Sequence, residues 1–360
     1  MKFVITFPVL LILAVSASAS CQDAPPAESR RDFRYALAVI DDATIYSGLQ
    51  VPFPKLLNQV LVEPIVTYRY KPQWSFSTSL VGAADRYTDT FTQLRVKEAY
   101  AGLSAGDFDF MAGRRIVRWG TGYAFTAIGV LDPSRIPTNP TDRLNLNEGR
   151  DMAKADYVHG PHSLTAAWSS AALAPASANL HDTTALRYNV LVHGFDTALI
   201  AGDDRGGDAF GGLTFTRVLG EAWEIHGEAA WREHEAILLG GKYTTPKGIT
   251  FLAEFFTPPN IPYYRDMGIS PFAPRQHYFF FNAGKNRLRE RPGWKEWDLS
   301  GSVAANLNDR SYTAIFDANR RFGNHFSAYT HIEIPAGSKT SEYGATPYSG
   351  ATSFGVRFQL

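Results

Sequence analysis

The sequence predicts an all-β chain, an up-and-down antiparallel meander of about 16–18 strands. Three observations lead there. Apolar and polar residues alternate with a period of two along much of the chain. Short turns rich in Gly, Pro, Asn or Asp punctuate these runs, and longer segments lie between others. The chain also opens on an export signal yet carries a single cysteine, so no internal disulfide can hold it together.

The elements follow in order. Lys2, the apolar run Phe3 to Ala14 and the small residues "VSASAS" make a secretory signal over residues 1–19, its apolar core too short to span a bilayer well. Ala17-Ser18-Ala19 fits a cleavage site that starts the mature chain at Ser20. Cys21 leaves lipid attachment as an alternative, although Ser18 stands where a lipoprotein signal normally has an aliphatic residue. Residues 20–32 read as a polar linker, and 33–360 as one β architecture. Formal net charge is zero with acids and bases interspersed, which argues against a nucleic-acid partner or a strongly basic membrane-surface patch.

Within 33–360, "WEIHGEAAWR" sets Trp223, Ile225, Gly227, Ala229 and Trp231 against Glu224, His226, Glu228 and Arg232. "WDLSGSVAANL" and "HFSAYTHIEI" alternate likewise, with Asp298, His331 and Glu333 on the polar side. "GITFLAEFF" and "LRYNVLV" are less clean, with Glu254, Arg187 and Asn189 on theirs. The weakest strands are the first, near Phe33, and the one at "HYFFFNAGK". Two architectures fit such strands: a soluble sandwich with apolar faces inward, and a membrane barrel with apolar faces on lipid and polar faces on a lumen.

The C-terminus separates them. "ATSFGVRFQL" alternates Phe354, Val356, Phe358 and Leu360 against Ser353, Gly355, Arg357 and Gln359, and ends there. It resembles the terminal strand of bacterial outer-membrane barrels, with Leu360 in place of the usual aromatic. That resemblance implies a transmembrane up-and-down antiparallel β-barrel in the bacterial outer membrane. Its partners would be outer-membrane lipid and the barrel-assembly machinery, the latter through Phe354 to Leu360. A second resemblance is local. "VKEAYAGLSAGDFDFMAGRRIVRWGTG", Val96 to Gly122, is similar to porin-like barrels in which an "EAY" strand turns into one carrying "GR" and ending "WG".

The candidate site lies where that stretch ends. Phe108 to Gly120 reads as a strand, with Arg114 and Arg118 placed in the lumen and Trp119 on the opposite face. Arg115 is then awkward unless a bulge or the nearby interface accommodates it. Residues 121–152 read as a long loop, too apolar for water at Tyr123, Phe125, Ile128, Val130 and Leu131. A loop of this length in a compact architecture is usually functional or mobile. The expectation is that it folds inward and narrows the pore, using a charged network of Asp132, Arg135, Asp142, Arg143, Glu148, Arg150 and Asp151. The expected lumen wall comprises Arg69, Arg187, Glu224, His226, Glu228, Arg232, Glu254, Asp298, His331, Glu333 and Arg357, whose mixed signs imply no strong ion preference.

No catalytic set emerges. "GTG" lacks the ending of a phosphate loop, and neither a GxSxG elbow nor an HExxH helix is present. His226 and Glu228 with His331 and Glu333 could supply metal ligands, but their strands are far apart in sequence and solvated lumen histidines are the preferred reading. No cofactor is implied. The expected function is an outer-membrane channel for passive diffusion of a small-molecule solute. The alternative is the barrel component of an export or uptake system for an apolar or polymeric cargo.

Overall fold

A computed structural model describes residues 31–360 apart from 51–53, 71–72, 86–90, 134, 140–142, 145–146, 171–181, 205–207, 233–234, 259–276 and 286–295. The expected signal over residues 1–19, Cys21 and Asp142 lie outside the described residues. The strands are β1 (Arg31–Ser47), β2 (Leu56–Tyr70), β3 (Trp74–Asp85), β4 (Phe91–Ala105), β5 (Phe108–Arg115) and β6 (Arg150–His159). There follow β7 (His162–Ser169), β8 (Thr183–Val192), β9 (Phe195–Asp204), β10 (Asp208–Leu219), β11 (Trp223–Trp231) and β12 (Glu235–Thr244). The last six are β13 (Ile249–Thr257), β14 (Tyr278–Lys285), β15 (Trp297–Asn306), β16 (Ser311–Phe322), β17 (Phe326–Ala336) and β18 (Gly350–Gln359).

Each strand pairs antiparallel with the next. β1 also pairs with β18, from Ala38 opposite Gln359 to Ser47 opposite Gly350. The sheet therefore closes into an 18-stranded barrel with no free edge. The two strands with the weakest sequence signal are both present, as β1 and β14.

Burial is inverted relative to a soluble protein. On β11, Trp223 and Trp231 are 53% and 48% exposed, whereas His226 and Glu228 are 1% and 3% exposed. Leu199, Leu239, Phe316, Phe354 and Val356 repeat the pattern around the wall. An apolar girdle this continuous is suited to lipid and costly in water, which removes the soluble sandwich. Strands join by short turns at one end, such as that at Gly106 between β4 and β5. The other end carries the long connections 116–149 and 337–349.

The longest of these leaves the wall earlier than the sequence suggests. β5 stops at Arg115 rather than Gly120, and β6 begins at Arg150, so the loop is 116–149 rather than 121–152. The cause is a bulge one strand away. The β3–β4 register shifts at Ser79/Leu80, where Ser79 faces Glu98 and Leu80 faces Val96. Lys97 is the extra residue, and both it and Glu98 turn inward. Lys97 Nζ meets Glu63 at 3.1 Å, and Glu98 accepts the Ile116 N–H at 2.9 Å just where β5 departs. The returning chain fills the vacated place, Gly149 N–H donating to the Lys97 carbonyl at 2.9 Å. This bulge lies in β4, not in the strand of Arg115.

Candidate functional site

The loop lies inside the barrel, and three carboxylates hold its backbone. Glu228 accepts the N–H groups of Gly122 at 2.7 Å, Ala127 at 2.6 Å and Ile128 at 3.1 Å, and the Thr126 hydroxyl at 3.0 Å. Glu254 accepts those of Tyr123 at 2.5 Å, Ala124 at 2.9 Å and Phe125 at 3.3 Å. His226 Nε2 lies 3.1 Å from the same carboxylate. Asp132, inside the loop, accepts the N–H groups of Trp119 at 3.0 Å and Gly120 at 3.1 Å. Each arrangement answers both sides of a burial problem: irregular backbone needs acceptors, and a buried carboxylate needs donors.

The "GTG" of the loop has its explanation here. A Cβ on Gly120 would sit 2.4 Å from Thr126 Oγ1 and 2.8 Å from Glu228 Oε1. A Cβ on Gly122 would meet the Phe125 carbonyl at 2.3 Å and Leu238 at 2.7 Å. The backbone can wrap a carboxylate this closely only where side chains are missing.

Apolar packing completes the seat. Phe125 stacks on Phe256 with ring centroids 5.0 Å apart and tilts against Tyr278 at 5.8 Å. Trp119, Ile128, Val130 and Leu131 join them in one buried cluster with Ile200, Phe210, Leu238, Leu252 and Phe280 of the wall. Removing each large side chain from water stabilises the docked loop by about 1.5–3 kcal/mol. Burial also pushes the Asp132 carboxyl above the usual range, while the Trp119 N–H, Arg135 and the Gly120 N–H pull it down.

The expected constriction residues divide. Arg135 donates to the carbonyls of Gly122, Tyr123 at 3.1 Å and Gly120 at 3.3 Å, bracing the loop from within. Arg143 pairs with Asp42 on β1 and lies 5.3 Å from the Tyr329 ring centroid. Arg357 donates to the Arg143 carbonyl at 2.6 Å, so the loop also grips the seam where β1 meets β18. Glu148 pairs with Arg95 at 3.1 Å. Trp119 is buried, and Arg118 is exposed.

Arg114 is a correction. It forms a two-point pair with Asp151 on β6, at 3.1 and 2.5 Å, and donates to the Val96 carbonyl. It is part of the wall. Strand alternation puts Arg115 in phase with buried Met111, and its guanidinium lies 4.7 Å from the Tyr100 ring centroid. Arg115 therefore takes the lumen position assigned to Arg114. Arg150, directly opposite Arg115, reaches Thr183 Oγ1 at 3.5 Å.

The residues expected along the lumen form separate pairs and groups. Glu224 pairs with Lys242 at 2.7 Å and accepts the Tyr123 hydroxyl at 2.8 Å. Arg232 pairs with Asp204 at 3.1 Å, Asp298 with Arg321 at 3.2 Å, and His331 with Asp317 at 2.7 Å. Glu333 accepts from Tyr348 at 3.1 Å. Arg69 sits exposed opposite Asp32. Arg187 donates to Asn189 at 3.4 Å. Among the described residues no three His, Cys, Asp or Glu side chains gather as metal ligands.

A second loop, 337–349, also turns inward. Glu342 accepts from the Tyr278 hydroxyl and from Asn306, both at 2.8 Å. Tyr343 is buried in the same apolar cluster. Burial pushes the Glu342 carboxyl up, against the hydrogen bonds of Tyr278 and Asn306. The sequence marked this segment only as long.

Known structures share this architecture. A Rh. blastica porin variant aligns over 91% of this chain and 100% of its own, with a TM-score of 0.50 and 9% identity. The fold is that of a porin. Two Pseudomonas aeruginosa structures fit this porin fold better, each over 91% of the chain and at a TM-score of 0.62. OccK5 (OpdH) is 9% identical and covered over 98% of its length; OccK11 (OpdR) is 10% identical and covered over 96%. No protein-family model matches the chain, and no curated protein matches it in sequence.

Proposed function

We propose that this chain is an outer-membrane channel for passive diffusion of small polar solutes, with the 116–149 loop as its constriction. The observation that carries the reading is the anchoring of that loop across the lumen. It is tied to β11 and β13 through Glu228 and Glu254, and to the β1–β18 seam through Asp42 and Arg357. A barrel of this strand number without such a loop encloses a wide aqueous lumen, so the loop sets the size limit.

One feature favours the second reading, a barrel handling an apolar or polymeric cargo. The loop fills part of the lumen with apolar side chains, as a plug would. Liposome swelling separates the two. The channel reading expects entry of uncharged sugars up to a size limit that rises when Glu228→Gln and Glu254→Gln are combined. Exclusion of every sugar by the native protein, with entry through the double variant, would favour the plugged barrel.

A further inference from the structure

Two arginines on the outer surface of the barrel sit in the same local motif. "RVLGEAW", Arg217 to Trp223, ends β10 and opens β11; "RRFGNHF", Arg320 to Phe326, ends β16 and opens β17. Each arginine stands three residues before a glycine of positive φ, Gly220 at 61° and Gly323 at 67°, so both lie about 10 Å along the strand from a short turn. Each also faces the aromatic that opens the preceding strand, Arg217 opposite Phe195 and Arg320 opposite Trp297. Phe195 is in phase with Leu199, and Arg320 with Phe316, both exposed on the apolar girdle. The two pairs therefore face lipid, not the lumen.

The guanidiniums are held by rings. Arg217 Cζ lies 4.5 Å from the Phe195 ring centroid. Arg320 Cζ lies 4.8 Å from that of Phe322 and 5.5 Å from that of Trp297. Neither arginine has a carboxylate partner among the described residues, and Arg320 Nε is buried without an acceptor. An aromatic face satisfies the plane of a guanidinium but not the N–H donors at its edge. On the lipid face of a barrel such a charge is costly at mid-membrane and tolerated near the headgroups. The short turns of these barrels face the periplasm, which puts both arginines at the headgroup level of the inner leaflet.

We propose that Arg217 and Arg320 each bind the phosphodiester of a phospholipid headgroup from that leaflet. The ring fixes the guanidinium plane, and its free edge offers two parallel N–H donors to the phosphate oxygens, a contact that Lys cannot reproduce. The acyl chains then lie along the apolar girdle. These sites are outside the lumen, so the proposal does not depend on what passes through it.

Native mass spectrometry of the purified full chain in a phosphate-free nonionic detergent tests this, with phosphatidylglycerol titrated against a diacylglycerol of the same acyl chains. The native protein should retain phosphatidylglycerol where diacylglycerol is lost. Combined Arg217→Gln and Arg320→Gln should lower that retention several-fold, and Lys at both positions should restore only part of it. Excess inorganic phosphate should not displace the lipid. Unboiled gel migration identifies folded protein for each variant. Equal retention of diacylglycerol, or phosphatidylglycerol retention unaltered in the folded Gln variant, would overturn the proposal. Displacement by inorganic phosphate would also overturn it, assigning the arginines to free phosphate instead of lipid.

Discussion

Glu228 and Glu254 show how a residue can be legible and its role not. Glu228 shares a polar face with Glu224 and His226, whereas Glu254 is marked only by its own charge, between Leu252 and Phe256. What they bind is main-chain N–H about a hundred residues earlier, and a backbone donor leaves no side-chain signature. Replacing either carboxylate by Gln removes charge from bonds worth about 1.5–3 kcal/mol each. Glu228→Gln with Glu254→Gln should leave the barrel folded yet let trypsin cut after Arg135 or Arg143, sites protected in the native chain. Gly122→Ala should have the same effect, since its Cβ has no space.

Protonation acts in a defined direction at this scale. Burial holds the Asp132 and Glu342 carboxyls above their ordinary values. Groups raised in this way bind protons more tightly in the docked loops than in released ones. Their contribution to docking is therefore complete below the ordinary carboxylate range and declines as pH rises through the raised value. Protease protection of both loops should be at least as strong at pH 5 as at pH 7.5; loops released by mild acid would contradict this assignment.

At the scale of elements, the strands that read poorly are informative. "HYFFFNAGK" and "GITFLAEFF" lack clean alternation because Tyr278, Phe280, Leu252 and Phe256 are apolar on the inward face as well. A lumen wall that is apolar inside needs a cover, and the apolar loop residues Phe125, Ile128 and Leu131 are that cover. The two anomalies, a loop too apolar for water and strands too apolar for a lumen, have one cause. Neither names the other, so the sequence reveals each without the match. The strand exit was misplaced for a similar reason: the bulge at Lys97 sits on β4, and its effect appears on β5. Phe125→Ala should weaken loop docking by about 3–5 kcal/mol, seen as larger or noisier conductance with unchanged gel migration. An unaltered, quiet channel would mean the cluster does not hold the loop.

For the whole molecule, period-two alternation and the terminal strand point to a closed barrel, because closure is the sheet solution that leaves no unpaired edge in lipid. The link between loop and seam was not legible. Asp42, Tyr329, Arg143 and Arg357 come from both ends and the middle of the chain, and only closure brings them together. Asp42→Asn should therefore loosen both the loop and the seam, lowering the temperature at which the fast-migrating folded form is lost on an unboiled gel. A loss temperature equal to that of the native chain would show the latch to be dispensable.

The most direct measurement of the central claim is single-channel conductance of the purified protein beside a variant in which residues 118–147 are replaced by a short Gly-Ser linker. An inward constriction loop predicts steady steps from the native protein and larger steps from the variant. Equal steps, or silence from both, would contradict it.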